Sequence, residues 1–387
     1  MGVEARYFSQ EHRLLRDMVR EFARNEVAPV ADELDREGRF PTELVAQMAE
    51  LGLLGIPIPQ DYGGAGMDTV AYCIAIHELA KADGSVAITA AAHTSLGAMP
   101  IFLFGSEELK KKYLPPLAKG EILGAFGLTE PGAGSDAGAT QTTAERKKDR
   151  YVINGQKAFC TNAGYAGVIV FTARLLDRGE DQGISAFVVE RDTPGLRLGK
   201  PEKKMGWRAS DTRALYFEDM EIPVGNLLGE PAMGLRQFLQ ALTAGRISVG
   251  ALSVGTGEGA YLLALNYSRE REAFGRKISQ FQAIQFKLAD MATQLEAAQH
   301  LVYHAAWQKD QGRNVDKEAA MAKLFASELA MRITGEAIQI HGGYGYIREY
   351  QVERFFRDAK VLEIGEGTSE VQRMIIGRQI LEETAGL

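Results

Sequence analysis

The chain has 387 residues, of which 25% are charged and 45% are hydrophobic, and its formal net charge is −7. This composition is that of a folded protein of two or three domains, and it excludes a disordered chain. The negative balance argues against a general nucleic-acid or anionic-membrane surface, so an anionic ligand would have to meet local basic groups or helix N-termini. Cys73 and Cys160 form no paired motif, which favours a reduced, cytoplasmic chain without a metal site.

The first part of the chain, residues 1–122, has the periodicity of helices alone. Ser9 is a candidate N-cap for an amphipathic helix, and a second amphipathic stretch runs from Thr42 to Leu54. Residues 86–104 contain no Asp, Glu, Lys or Arg and are long enough to span a bilayer. They also contain His93 and several hydroxyl side chains, and they lack basic anchors on one defined side. We therefore expect a buried helix pair there.

The rest of the chain divides into a β-rich middle and a helical end. Residues 123–230 contain short β-prone runs separated by Gly, Asp and Pro, which predict a small antiparallel barrel or sandwich. From residue 231 to residue 387, long Ala-, Leu- and Gln-rich stretches predict a helical bundle. The expected protein is thus of the α+β class, with an N-terminal helical domain (1–122), a middle antiparallel β domain (123–230) and a C-terminal helical bundle (231–387).

One carboxylate of the last domain is a candidate catalytic group. Glu366 lies between Gly365 and Gly367, which let backbone approach whatever the carboxylate contacts. Ser369 and Gln372 match a capping box, so Glu366 is expected just before a helix N-terminus, where the helix dipole favours negative charge. On this loop alone, a solvated glutamate is the alternative.

The β-rich middle offers candidates for contact with a flat, anionic cofactor. Residues 132–137 have the letters of the dinucleotide fingerprint, but a helix is expected before them and β structure after them, so we reject that site. What remains is a loop whose N–H groups could cradle a phosphate, together with the hydroxyls of Thr129 and Ser135. Phe159 and Thr161 could meet a planar ring and its polar edge. A tight turn and a core phenylalanine are the structural alternatives.

Two further candidates lie in the helical end. Arg271, Phe274 and Gln282 lie between two long helices and combine an anion contact with an aromatic face. A surface arginine beside a core phenylalanine would give the same pattern. Gly342 and Gly343 interrupt a helix, so we expect the backbone to approach a partner closely there.

Six ordered motifs together resemble the acyl-CoA dehydrogenase family over essentially the whole chain. They begin at Tyr62, Leu128, Arg271, Gln339, Arg354 and Glu366 and read YGGAG, LTEPGAGSD, RxxFG, QIHGG, RxxRDAK and EGTSE. The resemblance implies an enzyme of the short-, medium- or branched-chain type with a helical, β, helical domain order, usually a homotetramer. It also implies FAD between the β domain and the bundle, an acyl-CoA substrate, and an electron-transferring flavoprotein as electron acceptor.

The resemblance further implies roles for single residues. Glu366 would take the α-proton, flavin N5 would accept the β-hydride, and the Glu366 N–H with a flavin ribityl hydroxyl would face the thioester oxygen. Residues expected to contact FAD within one subunit are Leu128, Thr129, Gly134, Ser135, Phe159, Thr161, Thr368 and Glu370. Residues expected to contact the FAD of a neighbouring subunit are Arg271, Phe274, Gln282, Gln339, Gly342 and Gly343. Expected substrate contacts are Ser135, Arg246, Gly365 and Gly367.

Three departures from the family pattern bear on the site. Some members carry the base immediately before the arginine that matches Arg246, where this chain has Gly245, so Glu366 is expected to be the sole base. Gly365 stands where straight-chain members often have Tyr, which leaves space for a branched acyl group. Thr243 replaces an Asp that commonly contacts substrate, which leaves the CoA-side contacts of this helix open.

Two questions stay open at this stage. Burial would raise the pKa of Glu366 and the following helix N-terminus would lower it, and the sequence does not decide between them. The leading expectation is an acyl-CoA dehydrogenase. The alternatives are an acyl-CoA oxidase that reduces oxygen and a non-catalytic flavin-binding scaffold.

Overall fold

The computed structural model describes residues 2–384, and the first third of the chain is helical in it. Ser9 caps α2 as expected: its hydroxyl accepts from the His12 N–H, and the His12 ring accepts from the Ser9 N–H. Helix α4 ends before the predicted Leu54, because Gly52 takes a left-handed conformation (φ +71) that closes the helix. Helices α1 to α8 are Val3–Tyr7, Gln10–Phe22, Ala31–Glu37, Thr42–Glu50, Thr69–Ala82, Gly84–Ala91, Met99–Phe104 and Glu107–Ala118.

The apolar segment at residues 84–104 is one continuous helix, which corrects the expected helix pair. Helix α6 passes through a π-helical stretch, Ala92–Ala98, into α7. The segment is long and apolar enough to cross a membrane, yet 78% of its most apolar window is buried inside the protein. Both ring nitrogens of His93 bond buried backbone, at Leu117 O and Gly124 N. Its burial is that of a core helix.

The middle of the chain forms one sheet in the order β6-β7-β3-β2-β4-β5-β8, with β1 also beside β4. The expected antiparallel pairing holds for pairs such as β3–β7 and β4–β5. It is wrong for β1 and β2, which both pair with β4 in parallel. The chain between these partners includes β3 and is long enough for a crossover, which parallel pairing requires. The strands are Leu123–Gly127, Thr143–Arg146, Arg150–Thr161, Ala166–Asp177, Glu180–Glu190, Leu196–Leu198, Thr212–Pro223 and Leu227–Leu228.

The last part of the chain is a bundle built around α9 and α11, with α5 of the first part packed against α9. Helices α9, α10, α11 and α13 form in the long stretches from which the bundle was predicted. Helix α12 was not predicted from periodicity. A two-residue hairpin, β9 (Glu272–Ala273) with β10 (Arg276–Lys277), lies between α9 and α10. Helices α9 to α13 are Gly234–Glu270, Gln282–Asp310, Asp316–His341, Val352–Leu362 and Ser369–Thr384. The helical, β, helical order is therefore confirmed.

Candidate active site

Glu366 lies in the turn between α12 and α13, in a backbone conformation that few residues adopt. Its φ is +52°, and within residues 2–384 only eight non-glycine residues have positive φ. Phe159 and Phe274, two of the aromatic candidates, are also among the eight. Such conformations cost free energy and cluster at functional sites. Both carboxylate oxygens of Glu366 are buried and lack a hydrogen-bond partner in the described chain.

The turn is held by contacts that differ from the predicted capping box. Thr368, not Ser369, caps α13: its Oγ1 accepts from the Val371 N–H at 3.3 Å. Ser369 is the first helical residue. The Gln372 side chain instead donates to the carbonyl oxygens of Glu366 (3.3 Å) and Gly367 (2.9 Å). The helix thus begins one residue earlier than the capping box predicts, and Gln372 in its first turn anchors the carbonyl groups of Glu366 and Gly367.

The electrostatic question left open by the sequence is decided by burial. Burial raises the pKa of Glu366 to about 7, against the opposing positive charges of Arg246 and Lys323. Arg246 lies on α9 and Lys323 on α11, and both side chains are buried. A carboxyl group with a pKa near neutrality suits a general base, because it is ionised often enough to act and basic enough to take a proton.

Helix α9 makes room for the carboxylate at Gly245. A Cβ at this position would overlap Glu366 Oε2 and would lie 2.9 Å from its carboxyl carbon. The carboxylate therefore fills the space that a side chain at position 245 would take. Two residues before it on α9, the Thr243 hydroxyl donates to Asp316 Oδ1 on α11 at 2.6 Å and accepts from Arg246 at 3.4 Å. Thr243 joins Arg246 to a carboxylate that comes from a different helix.

The β-domain candidates lie around the loop that follows β1. A strand precedes this loop, not the expected helix, but a single 3₁₀ turn (Ala137–Ala139) and β2 follow it, so the dinucleotide fingerprint remains rejected. Thr129 O accepts from the Ala158 N–H at 2.7 Å, which brings the loop beside Phe159. The Phe159 ring is 67% exposed. Leu128, Thr129 and Thr161 are half-buried, and Gly134 and Ser135 are exposed.

A buried ion pair between Lys157 and Glu130 anchors this loop to strand β3. Lys157 Nζ donates to Glu130 at 2.7 Å and to Leu128 O at 3.2 Å, and neither charged side chain is more than 4% exposed. Glu130 also accepts from the N–H groups of Gln141 and Thr142. Both ends of the loop are thereby tied to one carboxylate.

Five of the eight remaining cofactor candidates line two clefts. A cleft of about 420 Å³ lies where α9 and α11 end, and its lining includes Arg271, Gly342 and Gly343. A second cleft, of about 180 Å³, has Thr368 and Glu370 in its lining, with Lys360. Gln339, Gln282 and Phe274 are exposed at the surface, and the Phe274 ring is 95% exposed. Within one subunit, the residues expected to contact the cofactor are thus divided between the β-domain loop, the two clefts and the exposed surface.

The residues present fit a flavin dinucleotide. A Cβ at Gly132, Gly134, Gly342 or Gly343 would meet no atom within 4 Å, so backbone is open to a ligand at both glycine segments. Phe159 offers an exposed aromatic face to a flat ring, and Arg271 offers a guanidinium to an anion. Residues 2–384 contain no group of three or more His, Cys, Asp or Glu side chains placed to hold a metal ion.

Sequence reasoning overlooked the buried lysines, although each left a signal. Lys323 lies four residues after Ala319 and three before Ala326, on the buried stripe of α11. Lys157 has the same parity along β3 as the buried Tyr151 and Ile153. A charged residue at a core position of a regular pattern indicates a buried, partnered cation.

Comparisons with known proteins agree along the whole chain. Models of the acyl-CoA dehydrogenase N-terminal, middle and C-terminal domains match residues 9–121, 125–220 and 232–381. The short-chain specific acyl-CoA dehydrogenase of Clostridium acetobutylicum is 48% identical over 96% of this chain and 98% of its own length. The butyryl-CoA dehydrogenase structure from Megasphaera elsdenii has a TM-score of 0.94 at 44% identity, over 97% of this chain and 99% of that one. A structure described as the electron transferring flavoprotein of Acidaminococcus fermentans, in work on flavin-based electron bifurcation, has a TM-score of 0.94 at 48% identity, over 97% and 98%.

Proposed function

The chain belongs to the acyl-CoA dehydrogenase family of FAD-dependent oxidoreductases, and from this premise we propose that it desaturates a short acyl-CoA with Glu366 as the base. One observation carries the proposal. The carboxylate of Glu366 is buried, has no hydrogen-bond partner in the described chain, and lies against the bare backbone of Gly245. Burying a carboxylate without a partner costs free energy, and such groups cluster at functional sites. Accepting a proton from the substrate would explain why this carboxylate is kept buried.

In the proposed reaction, the residues of this chain perform the proton transfer. The Cα–H bond of the thioester breaks, the proton moves to a carboxylate oxygen of Glu366, and the electron pair forms the Cα–Cβ double bond as a hydride leaves Cβ. Bound FAD would supply the acceptor for that hydride. The Glu366 N–H would donate to the thioester oxygen, where negative charge develops. Arg246 and Lys323 favour the ionised form of the base before the proton arrives.

The proposed cofactor site spans two subunits of a homotetramer. Residues of the β domain and of the Thr368–Glu370 segment hold FAD in one subunit, and the cleft with Arg271, Gly342 and Gly343 faces the FAD of a neighbour. The almost fully exposed Phe274 and Tyr346 rings are free in one subunit to contact a neighbour. The same proposal divides the chain into 1–122, 123–230 and 231–387 and places the protein in the cytoplasm.

The proposed acyl group is short and includes branched chains. Relatives named as short-chain and butyryl-CoA dehydrogenases support a short chain. At Gly365, the nearest atom to an added Cβ is Val361 O at 3.5 Å, an ordinary contact distance, so the glycine leaves room beside the base for a branch. Ser135, Arg246 and Gly367 are the other proposed substrate contacts. Electrons leave to an electron-transferring flavoprotein, as the relative described by that name supports.

The test is anaerobic absorbance of the purified, FAD-loaded protein mixed with butyryl-, isobutyryl- and octanoyl-CoA. We expect the two short substrates to bleach the flavin band. Glu366→Gln is expected to retain FAD and to lose nearly all reduction, whereas Glu382→Gln, an exposed glutamate on α13, is expected to behave as wild type.

Each other result has a definite meaning. Substantial reduction by Glu366→Gln refutes the assignment of the base. Good turnover of butyryl-CoA with poor turnover of isobutyryl-CoA refutes the branched-chain part. Rapid reoxidation of the reduced protein by air favours an oxidase. A yellow protein that none of the three substrates bleaches favours a binding scaffold.

A further inference from the structure

A second buried cation lies beside the turn that carries Glu366. The Lys323 side chain is completely buried on α11. Its Nζ donates to the carbonyl oxygen of Gly367 at 2.7 Å, one residue after Glu366. Gln372 already donates to that oxygen at 2.9 Å, so the carbonyl would be satisfied without a charge. Burying an ammonium is costly, and its presence at this place therefore needs a reason beyond hydrogen bonding.

The ammonium acts on Glu366 without forming a direct ion pair with it. Both Glu366 oxygens lack hydrogen-bond partners in the described chain, while Lys323 is held by the neighbouring carbonyl. A direct pair would occupy the oxygen that has to accept a proton. A cation one residue away stabilises the ionised base and leaves both of its oxygens free.

The charged groups around this turn come from several elements. Glu366 is faced by Arg246 from α9, by Lys323 from α11 and by the buried Tyr72 phenol from α5. Besides Glu366 and Arg246, the groups that face Lys323 are Glu363, just after α12, and Glu328 on α11. Burial lowers the pKa of Lys323 to about 8, so the side chain is still mostly protonated at pH 7.

We propose that Lys323 is a positioning residue that holds the Glu366 turn and sets the pH range in which the base works. This inference rests on the proposed function of Glu366. It assigns to Lys323 two separable effects: a hydrogen bond that fixes the left-handed turn, and a positive charge that keeps the base ionised at lower pH than burial alone would allow.

Two substitutions separate these effects. Lys323→Gln keeps an N–H donor and removes the charge, whereas Lys323→Met removes both. Lys317→Met, on the same helix but paired with Glu383 at the surface, is the matched control. The rate of anaerobic flavin reduction by butyryl-CoA is measured against pH for each protein, together with its thermal midpoint and FAD content.

We expect the ascending limb of the rate profile to move up by about one pH unit in both Lys323 variants, since loss of a nearby opposite charge raises the pKa of an acid. The plateau rate is expected to fall further in Lys323→Met than in Lys323→Gln. Lys317→Met is expected to match wild type. If Lys323→Met does not fold, Lys323→Arg replaces it, and retention of the wild-type limb by Arg with a shifted limb for Gln supports the role of the charge.

An unmoved limb in Lys323→Gln overturns the inference, even if the rate or the thermal midpoint falls, because a merely structural lysine would give that result. A failure of the proposed function would give a different result from a failure of this inference. If Glu366→Gln reduces its flavin at a substantial rate, the base is assigned wrongly. If Glu366→Gln is inactive while the Lys323 variants keep the wild-type limb, only the role of Lys323 is refuted.

Discussion

Replacing Gly245 by alanine tests the position of the base without touching Glu366. The added Cβ would overlap Oε2 and lie 2.9 Å from the carboxyl carbon. Because non-bonded heavy atoms prefer to be about 3.5–4.0 Å apart, the carboxyl carbon would have to retreat by about 0.5–1 Å. Oε2, at 2.0 Å from the added Cβ, would have to move by more than about 1 Å. The clash is with the end of a flexible side chain, so the side chain moves and the helix does not. A displacement of about 1 Å at a reacting group costs up to about 100-fold in rate.

The assay is the anaerobic rate of flavin reduction by butyryl-CoA, with the thermal midpoint measured in parallel. We expect Gly245→Ala to lose about 10- to 100-fold in rate with no loss of stability, since alanine favours a helix by about 1 kcal/mol over glycine. Gly257→Ala on the same helix is the control, because its Cβ would meet Leu295 at an ordinary 3.4 Å. A Gly245→Ala rate within about threefold of Gly257→Ala would refute the argument that Glu366 works from this position.

Three further outcomes follow from the buried charges. The reduction rate is expected to rise with pH through a limb near 7, because burial raises the pKa of Glu366 to about 7 and only the ionised base takes the proton; a limb near the ordinary value of 4.5 contradicts this. A raised pKa also means that the stability contributed by Glu366 is present below pH 4.5 and is lost as pH rises through 7. Glu366→Gln is therefore expected to raise the free energy of unfolding more at pH 8 than at pH 5, by up to about 3 kcal/mol in urea titrations, and equal effects at both pH values would contradict it. Lys157→Met is expected to lower the free energy of unfolding by about 3–5 kcal/mol, because it leaves Glu130 buried without its cation. Lys147→Met, at an exposed pair with Glu145, is expected to lower it by less than about 1 kcal/mol. Similar losses in the two variants would contradict the importance of burial for the Lys157–Glu130 pair.

The sequence predicts the regular elements best where the pattern of burial is apolar. The long helices α9, α10 and α11 follow from periodicity, and Ser9 identifies the start of α2. Helix α12 was not predicted, because polar residues lie on its buried face. Arg354 donates to Asp32 at 3.0 Å and to Asp83 at 2.6 Å, and Asp358 accepts from the Trp207 N–H. These buried charged residues interrupt the apolar stripe formed by Val352, Phe355, Ala359 and Leu362.

Only part of the sheet was predicted, because the rest depends on contacts between strands that the local sequence does not show. The β-prone cores of β3, β4, β5 and β7 are visible in sequence, but their full lengths depend on pairing with each other. Strand β1, Leu123–Gly127, contains two glycines and has little strand propensity of its own. It is a strand because β4 offers it hydrogen bonds along one edge, and that edge exists only in the folded sheet. The parallel pairings could not be predicted from local patterns for the same reason.

The environment of Glu366 depends on contacts between distant segments. Its role was expected from the family resemblance, and its flanking glycines mark the turn. The groups that set its basicity, Arg246 and Lys323, come from two other helices, and their distance from the carboxylate depends on how α9 and α11 pack. Neither the burial nor the resulting rise in pKa is written in the local sequence, which is why the opposing effects of burial and the helix N-terminus could not be weighed in advance.

The contact between Gly245 and Glu366 explains why only one of these two positions can supply the base. A side chain at position 245 and the carboxylate of residue 366 would compete for the same space, since even a Cβ there overlaps Oε2. The two positions are 121 residues apart, yet the fold presents them to one point. A carboxylate reaching this point from α9 would therefore require a small residue in the turn, and a carboxylate in the turn requires glycine or its near equivalent on α9. The absence of a side chain at Gly245 is in this sense as much a part of the site as the carboxylate itself.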